Sequence, residues 1–220
     1  MTDSSELGTR GRLLDSAESL LAENGLGSTS VRMITEMAGA NVAAVNYHFG
    51  SKEDLVRAVI LRRLSEIDDM RMQRLDALEV GGRSPSIEEI TRAFIEPLIV
   101  HGISRETGKM VPFIVLVRQV MSDPEVGQKL THGWETPLMV RRMARAITSA
   151  ANNAHLSESE LKFMIFLMHS SAVEILYTIT GNSDETFKDQ SVRDGLVERG
   201  LGYVASGIKG FISQKTLEEA

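Results

Sequence analysis

Gly39-Ala40-Asn41-Val42-Ala43-Ala44-Val45-Asn46-Tyr47-His48-Phe49-Gly50-Ser51-Lys52 is the stretch on which the reading of this chain turns. The pattern predicts a short helix over 41–47. Val42, Val45 and Phe49 recur at helical spacing and are expected to face a core. Around them stand residues with a use at a DNA duplex. The methyls of Ala43 and Ala44 let a helix backbone sink into the major groove, and Asn46 can pair with the N6/N7 edge of adenine. Tyr47, His48 and Lys52 suit phosphates, contacts that fix register rather than read sequence. For each residue the competing reading is plain packing, most evenly balanced at Tyr47.

The flanks decide between those readings. Upstream, Thr29-Ser30 is an N-cap whose hydroxyl satisfies free helix amides; a helix over 30–37 and the turn at Gly39 follow. Helix, short glycine-containing turn, helix is the helix-turn-helix plan. Downstream, Ser51-Lys52-Glu53-Asp54 has capping-box form and opens a long helix whose first turn, with Lys52, would face a phosphate.

Residues 10–57 closely resemble the N-terminal domain of the TetR family of bacterial transcriptional repressors. The resemblance rests on Thr9-Arg10, Ala17, Leu20 to Gly25, Thr29-Ser30-Val31, Ile34, Ala38-Gly39, Tyr47-His48-Phe49, Ser51-Lys52-Glu53 and Leu55. Many members carry Tyr where this chain has Asn46, and the form here is similar to a subset that includes fatty-acid-responsive regulators. The DNA-contact residues expected from motif and resemblance together are Arg10, Thr29, Ser30, Arg32, Asn41, Val42, Ala43, Ala44, Asn46, Tyr47, His48 and Lys52.

Charge alone points the other way. The 220-residue chain carries a net charge of −6, and residues 1–52 hold four basic side chains (Arg10, Arg12, Arg32, Lys52) against six acidic ones. DNA affinity must therefore depend on where the cations sit, and should be strongly salt-dependent. With no cysteine, disulfides, thiolate nucleophiles and cysteine zinc sites are excluded, which fits a reducing cytosol. The N-terminus lacks a basic segment followed by an apolar run, so a cytoplasmic protein, nucleoid-associated when on DNA, is expected. Phe163 to Thr180 is the most apolar span, but His169, Ser170, Ser171 and Glu174 within it favour a bundle helix over a membrane span.

The remaining pattern is helical throughout, which predicts an all-α chain; the resemblance implies a helix-turn-helix DNA-binding domain over 1–55, joined by a long helix to a helical bundle for effector binding and dimerisation over 56–220. Helices are expected at 9–23, 52–78, 86–103, 107–121, 124–152 with a break near Gly133, 157–180 and 189–213. Ser86 to Glu89, Ser122 to Glu125 and Ser157 to Glu160 have capping-box form. Pro97 should kink its helix, and the charged face of the 52–78 helix is expected to be solvated.

Two regions of the second half carry functional expectations. Gly202, Ser206 and Gly210 form a stripe at i+4 spacing where another backbone can approach. TetR-like proteins usually dimerise through their last two long helices, so Ile175, Ile179, Leu196, Tyr203, Ser206 and Gly210 are the expected homodimer interface, with intrachain packing as the alternative. Met110, Phe113, Met121, Trp134, Met139, Phe163 and Phe166 are large adaptable side chains in helices that surround an effector cavity in this family. Arg118, His101, Arg141 and His169 are candidates to meet an acidic head group, with Arg118 and His169 taken into the expected site. A plain core is the alternative for each.

Enzyme readings find no residues. Gly200-Leu-Gly-Tyr-Val-Ala205 matches a loose dinucleotide pattern, but no strand precedes it. The histidines show no metal-ligand spacing, and no metal or cofactor is expected. The sequence thus predicts a repressor that binds a palindromic operator in double-stranded DNA as a homodimer and is released by a small lipophilic effector, a fatty acid or acyl-CoA. The alternatives are a regulator of an efflux or catabolic operon answering another lipophilic or aromatic compound, and a helical interaction module that binds no DNA.

Overall fold

The computed structural model describes residues 4–104, 110–122, 138–151, 156–181 and 189–218. The helices are α1 (Ser4–Ser28), α2 (Val31–Ala38), α3 (Val42–Phe49), α4 (Lys52–Glu79), α5 (Ile87–His101), α6 (Pro112–Ser122), α7 (Leu138–Ala150), α8 (Glu158–Gly181) and α9 (Gln190–Glu218). Among the described residues the only β-pairing is an isolated bridge between Ile103 and Met110. The fold is all-α. Trp134, the expected break near Gly133 and most of the Ser122 to Glu125 box lie outside the described residues.

The boundaries follow local chemistry. The backbone of α1 breaks at Gly25 (φ 81°, ψ 166°), where Asn24-Gly25 was expected to end the helix. Ser86 caps α5 with a reciprocal box, its Oγ accepting from the Glu89 amide while the Glu89 carboxylate accepts from the Ser86 amide. Ser157 and Glu160 do the same for α8. Such caps are each worth about 1 kcal/mol.

Packing divides the chain into two compact units: residues 1–66 with 111–134, and residues 67–110 with 135–220. In the first unit, α1 packs against α2, α3 and α6, and Leu13, Ala17 and Leu21 of α1 share a core with Ile34, Val45, Leu55 and Ile114. In the second, α5 packs against α7, α8 and α9, and α8 against α7 and α9. Its core is built from Ile90, Phe94, Leu98, Met143, Met168, Leu176 and Leu201. At Gly200, α9 comes so close to α8 that a Cβ would lie 2.7 Å from Ile175 Cδ1.

By length and composition α8 could cross a membrane. Its buried side, Met164, Ile165, Met168, Ala172, Val173, Leu176 and Ile179, instead faces the bundle.

The charged face of α4 is not uniformly solvated, as the sequence had suggested. Arg71 is only 1% exposed. Its Nε donates to the Phe94 carbonyl at 2.8 Å and its Nη1 to Asp68 at 2.9 Å, while the guanidinium lies 3.8 Å over the centroid of the Phe94 ring. The signal was in the spacing: Arg71 stands four residues from both Ile67 and Leu75, which are buried, and so shares their helix face.

Candidate nucleic-acid interface

The interface is assembled from two short helices and the turn between them. Ser30 caps α2, its Oγ accepting from the Met33 amide at 3.2 Å. The helix ends at Gly39, whose left-handed backbone (φ 60°, ψ 42°) lets the Ala40 amide reach back to the Thr35 carbonyl at 2.9 Å. That closure satisfies carbonyls the helix end would otherwise leave free. Asn41 then caps α3, its Oδ1 accepting from the Ala44 amide at 2.9 Å.

On α3, Val45 is 1% exposed and pins the helix to the core. On the opposite side Val42, Ala43, Asn46 and Tyr47 are exposed, Val42 by 48% and Tyr47 by 73%. Val42 was expected in the core; it lies instead on the open side, beside the residues named for base contact. Phe49 is half-buried, its ring engaged by His48 at 6.2 Å and by the Arg10 guanidinium at 5.0 Å. Ser30, Arg32 and Asn41 are exposed, and Ala44 and His48 are half-buried.

The cations divide by task. Arg10 is exposed and makes no ion pair among the described residues. Arg32 is exposed but pairs with Glu36 at 2.9 Å. Lys52 donates from Nζ to the Leu26 carbonyl at 2.6 Å, so it ties the start of α4 to the end of α1. Arg12, exposed, does similar work, its Nε donating to the Ala38 carbonyl at 2.9 Å. Thr29, named with the DNA contacts, is 1% exposed, and its hydroxyl is shared between the Leu20 and Gly25 carbonyls. It holds the turn and does not face a ligand.

Behind this surface lies a clamp that sequence reasoning did not find. Glu18 of α1, 8% exposed, accepts from Arg62 at 2.8 Å and Arg63 at 3.1 Å on α4, and Arg62 also reaches Asp15 at 2.7 Å. The charges sit at no diagnostic spacing; only the fold brings these side chains of α1 and α4 within reach of one another.

Residues 13–59 match the family described as bacterial regulatory proteins, tetR family. The chain carries a TetR-family N-terminal domain on a TetR-like fold. A curated relative, the HTH-type transcriptional repressor KstR2 of Rhodococcus jostii (strain RHA1), is 39% identical over 64 residues, which cover 29% of this chain and 31% of that protein. The likeness in sequence thus spans about a third of the repressor's length. Beyond it the likeness is one of fold. A tetR family transcription regulator from Shewanella sp. PV-4 superposes with a TM-score of 0.63 at 16% identity, covering 89% of this chain and 97% of that one. One from Marinobacter aquaeolei VT8 gives 0.60 at 14% identity over 92% and 96%.

The residues named for effector binding in this TetR-like chain divide between the two units. Phe113, 2% exposed, is core of the first unit, which also holds Arg118. Met110, Met139 and His169 belong to the second. Phe163 and Phe166 are 51% and 55% exposed on α8, so they are surface residues, not the lining of an enclosed cavity. Met121 lies on α6. His169 is turned into the bundle against Phe94, ring centroids 6.4 Å apart. Desolvation, with the charge of Arg71 second, lowers its pKa to about 3 and keeps it neutral.

Of the residues expected at a dimer interface, Tyr203 is 83% exposed, and Ser206 and Gly210 are also on the surface. Ile175 and Leu196 are half-buried. Ile179, 5% exposed, is packed inside its own chain and offers little surface to a partner.

Proposed function

We propose that this TetR-type protein is a transcriptional repressor that grips a palindromic operator as a homodimer and lets go when a small lipophilic effector binds the second unit. The observation that carries the reading is the open side of α3, where Val42, Ala43, Asn46 and Tyr47 project to solvent from a helix fixed by Val45 and capped by Asn41. Small, apolar and amide side chains on one exposed helix face fit a major groove better than they fit water. Arg10 and Arg32, the exposed cations of the set, supply phosphate contacts. The half-buried His48 and Lys52 sit at its edge.

Two recognition helices need two chains. Phe163, Phe166, Leu167 and Tyr177 are exposed on α8 at spacings of one helix face, and Tyr203 stands over the small residues of α9. Apolar exposure of this kind marks an interface. The effector acts by preferring the conformation that cannot meet both half-sites. Because α4 is one helix from Lys52 to Glu79, it is the element through which that preference reaches the DNA-binding residues.

The effector is read as a fatty acid or acyl-CoA. An aromatic compound is the second reading, favoured by the fold likeness to RolR, solved with resorcinol, at a TM-score of 0.50 and 18% identity. The test is selection of genomic fragments by the purified full chain, then fluorescence anisotropy on the enriched fragment with and without oleoyl-CoA, oleate or resorcinol. Enrichment of a palindrome that one of these releases is the expected result. No enrichment at low salt sinks the repressor; enrichment with no release by either acyl compound discards the acyl effector.

A further inference from the structure

Arg71 holds a cation inside the second unit with part of its hydrogen-bonding capacity unspent. Nε is taken by the Phe94 carbonyl and Nη1 by Asp68. The Nη2 group, with two N–H donors, has no partner among the described residues. Leaving a charged donor buried and unsatisfied is costly, and Ile67 and Leu75 on the same face show that an apolar side chain suits the position. On α8, His169 stands near enough to feel the Arg71 charge, and the next hydroxyl, Ser170 Oγ, is likewise buried with no partner among the described residues.

We propose that Arg71 Nη2 is the contact for the carboxylate of an apolar effector. The inference rests on the ligand-responsive regulator reading and narrows it to free carboxylic acids. An acceptor oxygen is what the unspent donors require, and a guanidinium binds a carboxylate oxygen through a charge-assisted bond. Asp68 already offsets the Arg71 charge, so what the site offers a head group is the unspent pair of Nη2 donors and not a net positive field. A coenzyme A phosphate would bring more charge than one shared guanidinium can meet. The neutral ring of His169 and the face of Phe94 supply an uncharged wall beside the head group.

The experiment is calorimetric titration of the full chain with carboxylates from decanoate to oleate and with the matching alcohols, on wild-type protein and on Arg71→Lys. Each acid is expected to bind about tenfold tighter than its alcohol, and Arg71→Lys to remove most of that ratio. A structural role for Arg71 would change stability without changing the acid-to-alcohol ratio. Because a variant can misfold, the second measurement uses the wild-type protein: NMR of the arginine side-chain nitrogens, in which decanoate shifts the Arg71 resonance and decanol does not.

Equal binding of acid and alcohol, an unchanged ratio in folded Arg71→Lys, an unmoved Arg71 resonance at saturation, or no binding of any acid overturns the contact. If the protein still selects an operator in any of those cases, the regulator reading survives without it. If acids shift Arg71 but no DNA is bound, the contact survives and the regulator reading falls.

Discussion

The hydroxyl of Thr29 lies 3.0 Å from the Leu20 carbonyl and 2.8 Å from that of Gly25, in a side chain 1% exposed. Thr29→Val keeps the shape but removes the hydroxyl donor that both carbonyls share, so the protein should lose about 1 kcal/mol. Urea unfolding reads this directly, while operator affinity well below the transition should stay within about twofold. Tyr47→Ala should do the reverse. Its ring is 73% exposed, so the melting temperature should hardly move, while operator affinity falls by about tenfold or more as a hydrogen bond to a charged phosphate, worth about 1.5–3 kcal/mol, is lost. An affinity unchanged by Tyr47→Ala would remove α3 from the interface. His169 supplies a pH prediction. Its pKa falls from 6.5 to about 3 through desolvation first and Arg71 second. The unfolded chain therefore binds a proton that the folded chain refuses between those values. Stability from this group is complete above pH 6.5 and declines as pH falls toward 3. His169→Leu should flatten that limb of a stability–pH curve, and an unaltered limb would show that the ring is not held neutral.

At the scale of elements, how much was legible depended on whether the determinants were local. α2, α3 and the start of α4 could be read because Ser30, Asn41 and Ser51 cap within three residues of themselves. The docking of α6 on α1 could not, because nothing in Pro112–Ser122 names the helix it will meet. Arg71 and Thr29 were misjudged for a related reason: a polar side chain looks solvated until the neighbour that covers it is known. The clamp of Glu18 with Arg62 and Arg63 is of this kind. Glu18→Ala leaves two arginines, 26% and 40% exposed, without their shared carboxylate. With the loss discounted for their access to water, it should cost about 1–2 kcal/mol. Hydrogen exchange should quicken in α1 and in the first half of α4; unchanged exchange in both would show that packing alone holds them. The capping boxes make a second, acid-sensitive prediction. Arg83 first, and the Ser86 amide next, hold the Glu89 carboxyl at about 2, below its ordinary 4.5. Its contribution is present above 4.5 and is lost as pH falls toward 2. Amides in the first turn of α5 should lose protection over that window while those near Leu98 do not.

On the proposed reading, the molecule that meets an operator is a pair of chains. Each 24.2 kDa chain offers one α3, and one such helix buries too little surface for the affinity an operator demands. The face expected to join two copies includes the i+4 recurrence of Gly202, Ser206 and Gly210 on α9, and a Cβ at Gly202 or Gly210 meets nothing within 4 Å in the single chain. Gly200, two residues before that stripe, faces inward against Ile175, so small residues on α9 serve packing within the chain as well as the surface offered to a partner. On α8, Phe163 and Phe166 looked like cavity lining because the sequence cannot say which side of an apolar helix its own bundle covers. Replacing Tyr203 with Asp puts a charge at the centre of this face without touching the core, since the side chain is 83% exposed. Burying an unpaired carboxylate against apolar side chains costs several kcal/mol, and a symmetric interface meets it twice. Tyr203→Asp should therefore sediment as a monomer at concentrations where the wild type runs at twice the chain mass. Its far-ultraviolet circular dichroism should be unchanged, and its affinity for a full palindrome should drop to that for a half-site. If the variant stays dimeric and still distinguishes palindrome from half-site, another surface joins the two chains.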